Sequence, residues 1–548
     1  MKTAELVGRT LAQLGVGHAF GVVGSGNLAV TNALRHNGVE FTAARHEGGA
    51  ASMADAYSRM TNRLAVLSTH QGCGLTNAMT GITEAAKSRT PLLILAAESA
   101  AAAVGSNFRI DQGALAHGVG AVSERVYSAK SAVADTVRAY RTAVNERRTV
   151  VLNLPIDVQE QEVPEGTPAM VAALTRPPAI RPGQQAVALL ADRIRAAKRP
   201  VFVAGRGGRE AAPELLALAE QAGALVATSA VANGLFEGRE FSLGISGGFS
   251  SPTTAELITG ADLIVGWGCA LNMWTMRHGR LIGEHTIVVQ VDVEDSALGA
   301  TRPINLGVIG DVAETARAVG EELRSRGGAV EGYRTKEVAE RLAASARWRD
   351  VATEDISTSS VIDSRVLSAR LDDILPKERI VSIDSGNFMG YPSAYLSVPD
   401  EFGFCFTQAF QSIGLGLGTA IGAAIARPDR LPVLGVGDGG FLMSISELET
   451  AVRLQLPLVV IVYNDNAYGA ELHHFGPGGD DLDTVTFPDT DIAAIARGYG
   501  ASGITVRGVD DLDVVGDWLA GPRNAPLVID AKVANDGGSW WLSEAFGH

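Results

Sequence analysis

A carboxylate inside a glycine turn carries the clearest chemistry in the sequence. Residues 431–440 read as a buried strand running into Gly435-Val436-Gly437-Asp438-Gly439-Gly440. A helix is expected from about residue 444 to 454. The next strand, 458–463, ends in Asn464-Asp465-Asn466. The Gly-x-Gly-x-x-Gly spacing also fits a dinucleotide turn, with Asp465 as the acidic residue on the following strand. Asp438 argues against that reading. It stands where a bare diphosphate would lie, and two anions there repel. A divalent cation between them removes the conflict. Mg²⁺ commonly takes one or two protein carboxylates and completes its shell with phosphate oxygens and water. The pattern therefore points to a metal–diphosphate site, and a purely structural glycine turn is the plainer alternative.

A second set lies near the N-terminus. Arg45-His46-Glu47-Gly48-Gly49-Ala50-Ala51 puts Glu47 at a strand-to-helix switch, the edge where α/β sheets bind ligands. Taken alone, such a Glu is more often a charge complementing a helix N-terminus. His70-Gln71-Gly72-Cys73-Gly74 forms a glycine loop after the next strand. A His there could give or take a proton near a reacting carbonyl, or simply bond to the backbone.

These residues need elements to hold them. Short apolar runs alternate with Ala-rich helical stretches such as 50–59, 212–221 and 447–454. Buried strands are expected at 18–23, 64–68, 92–97 and 150–154. A second group is expected at 201–204, 225–228, 263–267 and 287–291. A third is expected at 380–383, 433–436, 458–463 and 527–529. Apolar strands alternating with helices predict parallel sheets covered on both faces. A Pro-rich break near 175–183 and a polar one at 327–358 divide the chain. The expectation is an α/β protein of three doubly wound parallel-sheet domains, at 1–175, 185–328 and 355–548.

With these motifs in view, the sequence resembles the thiamine-diphosphate enzymes of the acetolactate-synthase-like branch. Gly437-Asp438-Gly439 and Asn464-Asp465-Asn466 carry the likeness in the third domain, and Arg45-His46-Glu47 with its Ala-rich helix carries it in the first. The resemblance spans essentially the whole chain. It implies pyrimidine-binding, middle and diphosphate-binding domains in that order. It implies thiamine diphosphate and Mg²⁺ as cofactors. The metal would be held by Asp438, by Asp465 27 positions later, and by the carbonyl of Ala467. The family usually has Asn at the second position. A register shifted by one would make Asn464 or Asn466 the ligand instead. Gly437, Gly439, Gly440, Tyr468 and Gly469 would surround the diphosphate, with Ser385 and Asn387 as further contacts. Ile413 would prop the cofactor between its rings. Glu47 would bond N1′ of the aminopyrimidine and so favour loss of the thiazolium C2 proton. A desolvated carboxyl does this best, because burial raises its pKa.

The resemblance also implies a site shared between subunits, with Glu47 of one copy meeting Asp438 of another, hence a homodimer or homotetramer. The reaction would proceed through a ylid and an acyl carbanion drawn from a 2-oxo acid or acyloin. The expected function is carboligation or cleavage on pyruvate or a related 2-oxo acid, aldehyde or acyloin, as in acetolactate or acyloin synthases. His70 resembles the His of benzoylformate-decarboxylase-like enzymes, so simple 2-oxo acid decarboxylation is the alternative. A non-catalytic cofactor-binding relative or an NAD-linked dehydrogenase is a weaker one. Gln71 sits where many relatives carry a small hydroxylated residue. The Phe-Gln-Glu stretch of the synthases is replaced by 106–112, leaving Phe108 and Gln112 as candidate pocket residues. His473 and His474 are further candidates. FAD, which acetolactate synthases bind in the middle domain, is doubtful, because the charged contact stretch is missing at 266–274.

Composition narrows the partners. The 548 residues carry 46 Lys and Arg against 61 Asp and Glu, a net charge of −15. Nucleic-acid binding through a basic face is not expected. No apolar run approaches the ~18 residues that span a membrane, and residues 1–5 lack the apolar core of a secretory signal. Three separated cysteines give no disulfide framework. A cytoplasmic location is the expectation.

Overall fold

The computed structural model describes residues 1–167, 177–328 and 330–542. The expected end of the first domain at 175, and the last residues of the third, lie outside them. The described residues build three six-stranded sheets. The first holds β1 (His18–Gly21), β2 (Glu40–Ala43), β3 (Ala65–Thr69), β4 (Leu92–Glu98), β5 (Val122–Arg125) and β6 (Thr149–Pro155). The second holds β7 (Pro200–Ala204), β8 (Leu225–Thr228), β9 (Ser242–Ile245), β10 (Leu263–Trp267), β11 (Ile287–Asp292) and β12 (Leu306–Ile309). The third holds β13 (Arg379–Ile383), β14 (Phe404–Phe406), β15 (Leu431–Gly437), β16 (Val459–Asn464), β17 (Ser502–Val506) and β18 (Leu527–Lys532). Pairing is parallel throughout these strands.

The first and third sheets share one topology. Their orders are β2-β1-β3-β4-β6-β5 and β14-β13-β15-β16-β18-β17. The chain therefore reverses its winding between β1 and β3, and again between β13 and β15. The middle sheet runs β9-β8-β7-β10-β11-β12, the dinucleotide-type order with its reversal between β7 and β10. Crevices open outside the carboxyl ends of strands at such reversals, so the topology itself nominates three places for ligands.

Each sheet has two strands more than the sequence predicts, and all six are edges: β2, β5, β9, β12, β14 and β17. The predicted helix at 444–454 also begins earlier. Helix Asp438–Ser444 starts on the acidic residue itself, and helix Ser446–Arg453 follows. The glycine turn is thus tighter than expected. Among the described residues no helix is long and apolar enough to cross a membrane, and all three cysteines are free.

The first and third domains pack directly. Helix Glu47–Thr61 crosses helix Gly416–Ala426 so closely that a Cβ on Gly422 would lie 2.2 Å from the carbonyl of Met53. Glycine is the residue that permits this contact.

One buried titratable group sets a pH limit on this fold. His18 on β1 is buried beside Phe20 and Tyr57, with Nε2 2.8 Å from Thr42 Oγ1. Burial lowers its pKa from 6.5 to about 4. A folded state that resists protonation loses stability as the unfolded chain takes up its proton. The contribution is complete above pH 6.5 and disappears as the pH falls to about 4. It amounts to about 3 kcal/mol. Compared between pH 7.5 and 4.5, thermal unfolding should show the parent losing about this much stability relative to His18→Gln. Equal slopes for the two proteins would remove His18 as the cause.

Candidate functional site

The site is built from strand ends. β15 and β16 are neighbours, with Gly437 opposite Tyr463 in register. The residues just beyond them, Asp438 and Asp465, therefore emerge side by side. Both border a cleft of about 1560 Å³. Asn464 does not join them. It is buried, and its Nδ2 donates to Asp530 Oδ1 at 2.8 Å. Of the three residues left open by the sequence, Asp465 is the one that faces the cleft.

Burial disfavours the charge of both carboxylates, and Asp438 further disfavours that of Asp465. Asp438 is pushed up to about 6, chiefly by burial. Asp465 is pushed up to about 8 by burial and then by the charge of Asp438. A cation between them would relieve both effects. The donor set suits a hard ion: two carboxylates, with Ala467 lining the same cleft. No cluster of three His, Cys, Asp or Glu side chains able to hold a metal occurs among the described residues. A cation here would depend on a backbone carbonyl as well.

The floor around the pair is glycine for steric reasons. A Cβ on Gly439 would lie 2.6 Å from Tyr468 Cε1, and one on Gly440 would lie 2.5 Å from Asp384 Oδ2. A Cβ on Gly469 would lie 2.2 Å from Asp465 Oδ2. Side chains are thereby kept out, and backbone borders the cleft at Gly437, Gly439, Gly440 and Gly469. Such a floor fits a diphosphate, which is bound well by close backbone approach.

Ser385, Asn387 and Ile413 line the same cleft. Asp384 explains their placement, and the sequence reading had not singled it out. It is fully buried and held up to about 6 by burial. Its carboxylate accepts the amides of Ser385 at 2.8 Å and Gly414 at 3.0 Å. It thus ties the end of β13 to the loop that carries Ile413. Asn387 Oδ1 accepts the Ser539 amide at 3.0 Å and anchors the C-terminal segment.

His473 also borders the cleft, while His474 does not. The His473 Nε2 lies 3.6 Å from Asp536 Oδ1, and Tyr391 donates its hydroxyl proton to Asp536. Burial lowers the His473 pKa, against the pull of Asp536. Glu471 and Met443 also line the cleft.

At its far end the cleft reaches the middle sheet. Gly205, Arg206 and Gly207 after β7, Gly268 after β10, and Asp292 at the end of β11 line it there. Arg89, Arg147 and Arg209 border the same end. Burial and then the neighbouring guanidiniums lower the pKa of Arg206.

Glu47, His70, Gln71, Phe108 and Gln112 lie elsewhere. None of them borders this cleft. They gather at the winding reversal of the first sheet. Glu47 opens helix Glu47–Thr61, is 9% exposed, and accepts a hydrogen bond from Asn77 Nδ2 at 3.1 Å. A Cβ on Gly74 would lie 3.3 Å from Glu47 Oε1 and 3.1 Å from His70 Cβ, which puts the two side chains around one glycine. His70 stacks edge-on to Phe108 with centroids 5.0 Å apart. Its Nε2 lies 3.4 Å from Ser25 Oγ, a neighbour the sequence reading missed. Only the Gly24-Ser25-Gly26 run after β1 could have signalled it.

Gln71 is buried with its Oε1 unpartnered. Gln112 is buried beside the same glycine turn. Its Oε1 accepts the Gly72 amide at 2.9 Å and its Nε2 donates to Asn153 at 2.8 Å. Both ends of the amide are engaged, so it braces the glycine turn from within.

Family models identify the chain on both sides of this divided arrangement. The N-terminal TPP-binding domain of thiamine pyrophosphate enzymes matches residues 1–119. The central domain matches 187–319, and the C-terminal TPP-binding domain matches 384–531. The chain belongs to the thiamine pyrophosphate enzymes. Curated members of the family align along nearly its full length at low identity. A sulfoacetaldehyde acetyltransferase of Rhodobacter capsulatus is 28% identical, over 93% of this chain and 90% of that one. An acetolactate synthase of Bacillus subtilis is 29% identical, over 97% and 93%. A Pseudomonas aeruginosa protein named probable 2-ketoarginine decarboxylase is 29% identical, over 92% and 89%. Among solved thiamine pyrophosphate enzymes, the Rhodococcus jostii thiamine diphosphate-dependent 4-hydroxybenzoylformate decarboxylase superposes with a TM-score of 0.83. It is 22% identical and covers 98% of this chain and 100% of its own, a likeness of fold.

Proposed function

We propose that this chain is a Mg²⁺-dependent thiamine diphosphate enzyme that makes or breaks a carbon–carbon bond beside a carbonyl. Its substrates would be pyruvate or a related 2-oxo acid, with an aldehyde, ketone or acyloin as partner. The observation that carries this reading is the pair Asp438 and Asp465 emerging together over a glycine floor at adjacent strand ends.

In this reading Asp438, Asp465 and the Ala467 carbonyl hold Mg²⁺. Gly437, Gly439, Gly440, Tyr468, Gly469, Ser385 and Asn387 would surround the diphosphate, and Ile413 would prop the cofactor between its rings. When bound, thiamine diphosphate supplies an acidic ring carbon that can add to a carbonyl and accept the electron pair of the broken bond. Glu47 holds a proton at N1′ of the aminopyrimidine. His70, oriented by Ser25 and Phe108, gives or takes a proton at the substrate oxygen. His473, steadied by Asp536, closes the opposite wall.

The two halves stand apart in one chain, which supports a site completed by a second copy. A homodimer is then the smallest working unit. The names of the curated relatives span acetyl transfer, ligation and decarboxylation, and ligation or transfer is the first reading here. The Ser25–His70 contact specifically favours decarboxylation as the second, because it sets a proton donor beside the substrate-facing glycine loop.

Proton NMR of the purified protein with thiamine diphosphate, Mg²⁺ and pyruvate, with and without an aldehyde, tests the proposal. Acetolactate or a mixed acyloin is the expected product. Acetaldehyde alone would establish the decarboxylase reading. Thermal unfolding provides the check on the cofactor. Saturating cofactor and metal should raise the midpoint, by about 3 kcal/mol of stabilisation at 100 times Kd. No shift would overturn the proposal.

A further inference from the structure

The backbone just ahead of Glu47 is held from the far side of the molecule. β2 ends at Ala43 and the helix begins at Glu47, so neither element supplies acceptors for the amides of Arg45 and His46. Glu447 does. It lies on helix Ser446–Arg453 in the third domain and is 1% exposed. Its Oε1 accepts the His46 amide at 2.9 Å and the Arg45 amide at 3.2 Å. Its Oε2 accepts the Arg45 amide at 3.3 Å and the Thr450 hydroxyl at 2.8 Å. Every neighbour in this set is a donor, so an ionised carboxylate satisfies all of them. Gly49 makes room for it, since a Cβ there would lie 2.4 Å from Glu447 Oε1.

The same device runs in the opposite direction. Glu84 on helix Cys73–Lys87 of the first domain is also 1% exposed. Its Oε2 accepts the Phe410 amide at 2.7 Å, in the loop that presents Ile413. Its Oε1 accepts Arg59 Nη2 at 2.8 Å and Ser88 Oγ at 2.9 Å. Arg59 in turn donates to the Phe406 carbonyl at 2.9 Å, just upstream of that loop. The loop needs holding, because Gln411 and Gly414 both adopt positive φ, at 60° and 85°.

We infer that Glu447 and Glu84 are reciprocal positioning residues: each fixes, from the opposite domain of the same chain, the backbone that presents one half of the cofactor site. The inference rests on the roles given above to Glu47 and Ile413. Glu447 does not border the cleft of Asp438. It sets where the Glu47 carboxylate stands, through two amides.

Glu447→Gln separates positioning from bulk stability. The side chain keeps its volume, but its NH₂ would face an amide donor. Amide hydrogen exchange of the cofactor-free protein should speed up by about tenfold or more over residues 44–50. Exchange in helix Thr3–Gln13 should stay unchanged. In the loaded enzyme kcat should fall about 100-fold, as expected for a reacting group displaced by about 1 Å, with cofactor affinity and KM nearly constant. Gly49→Ala is the second variant. It improves helix propensity yet presses on the same carboxylate, so it should reproduce the local exchange and the kcat loss in a folded protein. Glu84→Gln should speed exchange over 408–415 in the same way.

Unchanged exchange at 44–50 in both variants would overturn the inference. So would faster exchange with normal turnover, or a loss of protection spread over the whole chain. Glu47→Gln serves as the control. Should that variant stay active, the role of Glu47 fails, and the exchange result still stands by itself.

Discussion

Glu47→Gln should lower turnover by about 10²–10⁴-fold, the range lost with a positioned acid–base group, and should leave the cofactor bound. The side chain is held by Asn77 on one side and crowded by Gly74 on the other. A glutamine keeps the volume and can keep the oxygen that accepts from Asn77. It loses the ability to hold and release a proton at N1′. Folding should change little. The residue sits at the first turn of a helix, where its charge contributes only about 0.3–1 kcal/mol. The measurement is kcat with the substrate found by NMR, alongside a fluorescence titration with thiamine diphosphate and Mg²⁺. Full activity in the variant would remove Glu47 from the reaction. Lost activity with lost cofactor would reassign it to binding.

Asp438→Ala should act on the other half and in the other observable. Cofactor affinity in the presence of Mg²⁺ should weaken by about 100-fold or more, the effect of several kcal/mol at one ligand. The metal-free protein should lose little stability, because truncation also removes a carboxylate whose charge burial disfavours. That combination is diagnostic. A residue that merely shaped the turn would lose stability on truncation and leave the metal dependence unchanged. Equal affinity for the cofactor with and without Mg²⁺ in the parent protein would sink the metal assignment altogether.

The strands that were legible in the sequence are those at the centre of each sheet. Val459–Asn464 and Ala65–Thr69 are buried at every position, and their apolar stretches 459–463 and 65–67 are visible in the sequence. The strands that were not legible are the edges. Val122–Arg125 has every residue half-exposed and Glu40–Ala43 is mostly solvated, so neither carries a hydrophobic signature. They exist because a neighbouring strand offers unpaired amides and carbonyls, a fact that no local window contains. The site divides in the same way. Asp438 and Asp465 stand at strand ends beside glycines, where residue type and spacing raise the metal–diphosphate reading, whereas Glu47 drew its expected role from the family resemblance. Asp384, Ser25 and Asp536 act through partners distant in sequence. Gln112 has both ends of its amide engaged, by Gly72 and by Asn153, a pairing no local window shows. The extent of the cleft was equally hidden. Gly205 and Asp292 each look like an isolated strand end, and only the packing of the domains joins them to Asp438.

The placement of Glu47 away from the cleft that holds Asp438 has a genetic consequence. In the proposed dimer, a centre assembled from two chains would allow two dead proteins to cure each other. In a mixed dimer of Glu47→Gln and Asp438→Ala subunits, one centre collects both lesions and its twin collects neither. Random reassociation of equal amounts would make half the dimers mixed, each with one sound centre of two. About a quarter of the parental activity should therefore return when two inactive preparations are combined, as expected for an interface related by twofold symmetry. A centre contained in a single chain would recover nothing.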